Sequence, residues 1–126
     1  MAICCGVDIV EIERIKHSFD TCGNEFRDRV FTAREIDYCE GRKMAKFESY
    51  AARFAAKEAV SKAFGTGIGK GVKWKDIEII NGEAGKPFVN LSDGAKEIFE
   101  EMKGINVSLS LSHCKHYAVA YAVIES

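Results

Sequence analysis

No apolar run in the 126 residues approaches the ~20 needed to cross a bilayer, so no membrane span is expected. The amino terminus, MAICCGVDIVEIERI, has no basic leader and meets a charge by Asp8; it reads as mature structure and points to the cytoplasm. The five cysteines (Cys4, Cys5, Cys22, Cys39, Cys114) form an odd set without a C-x-x-C pair, which disfavours a disulfide framework or a zinc site. Free, mostly buried thiols are expected instead. The phosphate-loop pattern G-x-x-x-x-G-K-[ST] is absent. No linker, low-complexity tract or short repeat interrupts the chain, so residues 1–126 are read as one domain. A net charge of −1 argues against general nucleic-acid affinity.

The charge is unevenly spread. From Arg42 to Lys75 there are nine basic residues and two acidic ones, a local balance of +7 that leaves −8 elsewhere. A solvated lysine-rich face is the ordinary reading of such a block. Here it coincides with glycines at 65, 67, 69 and 71, which favours an anionic ligand.

Residues 2–12, AICCGVDIVEI, read as a buried strand ending near Asp8 or Ile9, followed at once by a helix carrying Ile12, Ile15 and Phe19. Thr32-Ala33-Arg34-Glu35 is a capping box opening a short helix that Gly41 stops. Residues 47–64 are alanine-rich and free of glycine and proline, and form the expected principal helix. KDIEII and KPFVNL flank an Asn81-Gly82 turn, with Pro87 at the entry of the second strand. Ser92 is placed to cap an amphipathic helix on Ala95, Ile98, Phe99 and Met102, stopped by Gly104. NVSLSLS and YAVAYAVI make a final hairpin with HCKH as its polar tip. The fold class is α+β, a mostly antiparallel sheet packed with a long central helix.

The glycine stretch follows a helix, so an anion there meets the helix's partial negative end. Lysine and arginine side chains, loop amides turned inward, or a cation must hold it. Glu58 and Lys62 lie one turn apart, and an exposed ion pair is their plainest reading. Asp8 adds weight to a second one. A carboxylate at the end of an apolar strand is costly to bury unless paired or metal-bound, and two carboxylates from separate elements suit Mg²⁺ with phosphate oxygens completing its shell. Lys62 would then balance phosphate charge.

Six stretches in order, GVDIVEIERI, FTAREIDYC, RFAAKEAVSKAFGTGIG, WKDIEI, GKP and LSLSHCKHYAVAYAV, resemble the holo-[acyl-carrier-protein] synthases, the short bacterial type of 4'-phosphopantetheinyl transferase. The resemblance runs from residue 3 nearly to the end. It implies transfer of the phosphopantetheine arm of coenzyme A to a serine of apo acyl carrier protein, releasing adenosine 3',5'-bisphosphate, in fatty acid biosynthesis. It further implies Mg²⁺ on Asp8 and Glu58 and phosphate contact by Lys62, with Arg53 as a further phosphate contact. Gly65, Thr66 and Gly67, within the loop running to Gly69, would enclose coenzyme A, with Ser112 and His113 near the nucleotide. The resemblance also implies a homotrimer with sites between subunits, served by Arg42, Lys43 and Lys46. The first helix would dock the acidic carrier protein, with Arg14 on the motif and Lys16, Arg27 and Arg29 nearby. Cys4, Cys5 and Cys114 are read as packing residues. The serine proton goes either to Glu58 or to a metal-bound water. The alternative is a non-catalytic module that binds coenzyme A or acyl carrier protein.

Overall fold

The computed structural model describes residues 2–126. Strand β1 (Ile3–Glu11) runs straight into α1 (Ile12–Cys22), α2 (Asn24–Val30) and α3 (Ala33–Gly41), and the long helix α4 (Lys46–Phe64) follows. A hairpin of β2 (Ile77–Asn81) and β3 (Pro87–Leu91) precedes α5 (Asp93–Glu101), and β4 (Asn106–His113) and β5 (Tyr117–Glu125) close the chain. All strand pairing is antiparallel, in the orders β1-β5-β4 and β2-β3. The α+β class and the long central helix are as the sequence leads one to expect.

Small residues bring α4 onto the sheet. Ala51, Ala55, Ala56 and Ala59 of α4 are fully buried, as are Ala118, Ala120 and Ala122 on the facing side of β5. Gly6 brings β1 in as well: a Cβ there would sit 2.1 Å from the Ala59 carbonyl oxygen, so only glycine fits at this depth. The face of β1 that carries Asp8 is thereby pressed against the helix that carries Glu58 and Lys62.

Above α4, an aromatic cluster joins α1 and the segment after α2 to the helix. Phe19 and Phe31 approach Tyr50 at ring-centroid distances of 4.6 and 4.8 Å. Beside it lies a buried ion pair. Lys57 Nζ sits 2.8 Å from Glu35 Oε1 and donates to the carbonyl oxygens of Trp74 and Ile77. Glu35 also accepts from the backbone N–H groups of Thr32 and Ile79, so the pair ties α3, α4 and β2 together.

Several expectations are corrected. β1 does not end near Asp8 or Ile9; pairing with β5 from Ile3–Glu125 to Glu11–Tyr117 carries it through Glu11, and Asp8 lies within the strand. Helix α2 is not among the expected elements; the buried i,i+4 pair Phe26 and Val30 is its signal. Ser92 stands at the start of α5 but its hydroxyl makes no capping bond. The expected box at Thr32 and Glu35 forms with both its bonds. The five cysteines are free, yet only Cys39 is buried; Cys4 is half-buried and Cys5, Cys22 and Cys114 are exposed. Cys5 shares the exposed outer face of β1 with Ile3, Val7 and Ile9, and Cys114 lies in the final turn.

That outer face is apolar. Ile3, Val7, Ile9, Tyr117 and Tyr121 are all at least 45% exposed, on the side of the sheet that α4 does not cover. Among the described residues, no helix is long and apolar enough to cross a membrane.

Candidate active site

The predicted site residues fall into two groups on opposite flanks of α4. Arg53 and Glu58 are five residues apart, about 140° around a helix of 3.6 residues per turn. The sheet order adds to the separation, because β5 stands between β1 and β4.

On the β1 flank, Asp8, Arg14, Glu58 and Lys62 line one cleft with the apolar walls of Ile15, Phe26 and Phe54. Strand alternation turns Asp8 toward α4, and its neighbour Gly6 lets the two elements approach. Lys62 does not form the i,i+4 pair with Glu58. Its Nζ lies 3.0 Å from Asp8 Oδ1 and donates to the Val7 carbonyl oxygen at 3.1 Å. Glu58 has no ion pair or hydrogen bond to its side chain among the described residues. Burial first, and then the nearby Asp8 charge, raise its pKa above the ordinary value, against a downward pull from Lys62. The two carboxylates therefore repel each other in a partly dehydrated cleft. No group of three or more His, Cys, Asp or Glu side chains suited to a metal occurs among the described residues. Two hard carboxylates facing one cleft are nonetheless the donor set for a cation that takes its other ligands from phosphate and water.

On the β4 flank, Arg42, Ser49, Arg53, Ser112 and His113 line a second pocket, closed by Tyr38, Glu48 and Asn81. Arg53 is 3% exposed: its guanidinium lies 4.2 Å from the Tyr38 ring centroid, one Nη donates to Asn81 Oδ1, and its Nε has no hydrogen-bond partner among the described residues. Such a cation, fixed by an aromatic face and one amide, presents its remaining donors to an anion without further ordering. His113 Nδ1 is 3.9 Å from Glu48 Oε2, too far for a hydrogen bond. Tyr38 and Asn81 carry no predicted role. Asn81 lies 28 residues from Arg53 in sequence, and no local pattern announces their contact.

The loop after α4 differs from the expected nest. The N–H groups of Gly65, Thr66 and Gly67 donate to the Lys62 and Ser61 carbonyls at the helix end, and that of Gly69 donates to Val72. Thr66 spends its hydroxyl on the Gly67 carbonyl. Four of the loop's amides thus terminate the helix or close the turn, and positive φ at Gly65, Gly67, Gly69 and Gly71 serves that path. An anion here would depend on side-chain cations and the remaining amides.

The basic block is also thinner than its count. Lys57 is consumed by Glu35, and Lys46 pairs with Glu40 at 3.4 Å. Of the expected docking residues, Arg14 lines the Asp8 cleft, Lys16 lies over the Phe47 ring, and Arg27 pairs with Asp28.

Residues 4–122 match the 4'-phosphopantetheinyl transferase superfamily. A holo-[acyl-carrier-protein] synthase of Ruminiclostridium cellulolyticum is 56% identical over 98% of this chain and 92% of its own length. The structure resembles the holo-[acyl-carrier-protein] synthase of Helicobacter pylori in complex with coenzyme A, with a TM-score of 0.86, 35% identity and coverage of 96% and 99% of the two chains. It also resembles a Bacillus anthracis holo-(acyl-carrier-protein) synthase in complex with CoA (3',5'-ADP), with a TM-score of 0.83, 42% identity and coverage of 99% of each chain.

Proposed function

The chain belongs to the 4'-phosphopantetheinyl transferase superfamily, and from that premise we propose that it transfers the phosphopantetheine arm of coenzyme A to a serine of apo acyl carrier protein, in fatty acid biosynthesis in the cytoplasm. The observation that carries this reading is the convergence of Asp8, Glu58, Lys62 and Arg14 on one cleft. The relatives of this chain bear the name of that activity, and the two similar structures described above are of coenzyme A complexes.

In the reaction, the serine oxygen bonds to the β-phosphorus of the pyrophosphate while the bond from that phosphorus to the bridging oxygen breaks. Adenosine 3',5'-bisphosphate leaves with the bridging oxygen. A Mg²⁺ held by Asp8 and Glu58 would supply charge neutralisation on the pyrophosphate as that oxygen departs. Lys62 balances the remaining phosphate charge from the same side. Glu58, whose carboxylate faces the same cleft, is the chain's own group placed to accept the serine proton, water being the other acceptor. Phe26, Phe54 and Ile15 keep the cleft wall apolar, which strengthens these electrostatic contacts.

The second pocket suits the nucleotide end of the donor, with Arg53, Arg42, Ser112 and His113 around it. Because α4 separates the two groups, we place each complete site between copies in a homotrimer. The uncovered apolar face at Val7, Ile9 and Tyr121 supports such an assembly, since exposed large apolar patches mark interaction surfaces. Arg14, at the mouth of the Asp8 cleft, is the residue we assign to docking of the acidic carrier protein, through charge attraction that salt screens.

The test is intact mass spectrometry of an apo acyl carrier protein incubated with this protein, coenzyme A and Mg²⁺. One added phosphopantetheine group is expected, with equimolar adenosine 3',5'-bisphosphate. Coenzyme A binding without any mass gain would favour the non-catalytic module instead.

A further inference from the structure

Lys62 sits on the carboxylate that a divalent cation would need. Its ammonium bonds Asp8 Oδ1 and the Val7 carbonyl oxygen, while Glu58 faces the same cleft without a partner among the described residues. The two carboxylates are formally balanced by Lys62 and Arg14, and of these two cations Lys62 is the one in contact with Asp8. An ammonium held on Asp8 opposes a divalent cation in two ways: it occupies one carboxylate oxygen, and it repels a second positive centre at short range in a low-dielectric cleft.

The lysine is able to leave. Its side chain is 49% exposed against 18% for Asp8, it projects from the last turn of α4, and its four-carbon stem gives the ammonium a choice of rotamers. Phosphate oxygens brought into the cleft would offer it acceptors at least as good as one carboxylate oxygen and one carbonyl.

We propose that Lys62 is an exchangeable counter-ion: it neutralises Asp8 in the free protein and transfers to the donor's phosphates, so that the divalent cation and coenzyme A bind cooperatively. This inference rests on the function proposed above. It assigns Lys62 an inhibitory part in cation binding besides its part in phosphate binding. By linkage, whatever factor coenzyme A brings to cation affinity, the cation brings to coenzyme A affinity.

The experiment measures Mn²⁺ affinity by electron paramagnetic resonance of the free ion, with and without coenzyme A, and coenzyme A affinity by calorimetry. The proteins are wild type, Lys62→Ala and Arg14→Ala; Arg14 lines the same cleft but has no ion pair among the described residues. Circular dichroism verifies that each variant is folded. Without coenzyme A, Lys62→Ala is expected to bind Mn²⁺ roughly tenfold more tightly than wild type, within the range usual for coupling between sites. Arg14→Ala should change it far less. The mutual enhancement between Mn²⁺ and coenzyme A should shrink in Lys62→Ala. Unchanged or weaker Mn²⁺ binding by Lys62→Ala overturns the proposal, and so does an equal gain in Arg14→Ala, which would reduce the effect to the general field of the cleft. If Mn²⁺ fails to bind wild type even with coenzyme A present, the metal assignment of Asp8 and Glu58 falls, and this inference with it. Binding there, with no gain in Lys62→Ala, sinks the counter-ion role alone.

Discussion

Lys57 Nζ lies 2.8 Å from Glu35 Oε1, and both side chains are wholly excluded from solvent. Burial pulls the Lys57 pKa down while Glu35 pulls it up, and the lysine's three acceptors are Glu35, the Trp74 carbonyl and the Ile77 carbonyl. Removing one partner of such a pair strands the other charge. Lys57→Met is therefore expected to cost about 3–5 kcal/mol of stability, and Lys57→Met/Glu35→Gln distinctly less than that. Chemical denaturation of both variants measures this. A double variant no more stable than the single one would contradict it.

Gly6 and Ala59 set how closely β1 approaches α4. A Cβ on Gly6 would lie 2.1 Å from a backbone oxygen, so Gly6→Ala must push the strand outward and take Asp8 with it. Overpacking of this kind costs about 1–3 kcal/mol, and sometimes more. The loss of transfer activity should exceed what the loss of folded protein explains, because Asp8 and Glu58 no longer share one cleft. Activity per folded molecule, at a temperature where melting curves place the variant in its native state, separates the two effects. Full activity per folded molecule would show that the approach of β1 to α4 does not set the geometry of the carboxylates.

Glu58 gives the metal-free protein a defined pH response. Its native pKa is raised above the ordinary 4.5, so the native state holds the proton more tightly than the unfolded chain. The resulting stability is full below the ordinary value and is lost as pH rises through the raised native value. At neutral pH the ionised Glu58 opposes folding. Glu58→Gln, without metal, is expected to melt higher than wild type at pH 7–8, and the gap should close on acidification toward 4.5. A variant that melts lower than wild type at neutral pH would contradict this sign. The same variant should lose Mg²⁺-dependent transfer.

The fold was legible in the sequence wherever one short pattern decides a local structure. Alternation marked β4, the Thr32–Glu35 box marked the start of α3, and the run of small alanines marked α4. Where pairing decides, the sequence was silent. Asp8 sits within β1 because β5 continues alongside it, which no property of residues 2–12 specifies. Candidate site residues stood out as motifs, yet the partners they have in the structure did not. Lys62 turns to a strand 54 residues away rather than to Glu58 on its own helix, and Lys57 belongs to the core rather than to a basic surface. The glycine loop was read as a ligand cradle, whereas much of its backbone hydrogen bonding is spent on ending α4.

Assembly of one transfer site from two copies is tested most directly by mixing inactive variants. Asp8→Asn disables the β1 flank and Arg53→Gln the β4 flank; if Arg53→Gln fails to sediment as a trimer, Arg42→Ala/His113→Ala takes its place. The two proteins are dissociated together in denaturant, refolded at equal concentration, and assayed for phosphopantetheine added to acyl carrier protein. With sites between neighbours, three-quarters of randomly assembled trimers are mixed and each holds one intact site of three, so about a quarter of wild-type activity should return. Each variant refolded alone should stay inactive. If the two flanks serve a site within a single chain, mixing restores nothing, and that result, with trimers present, would contradict the shared site.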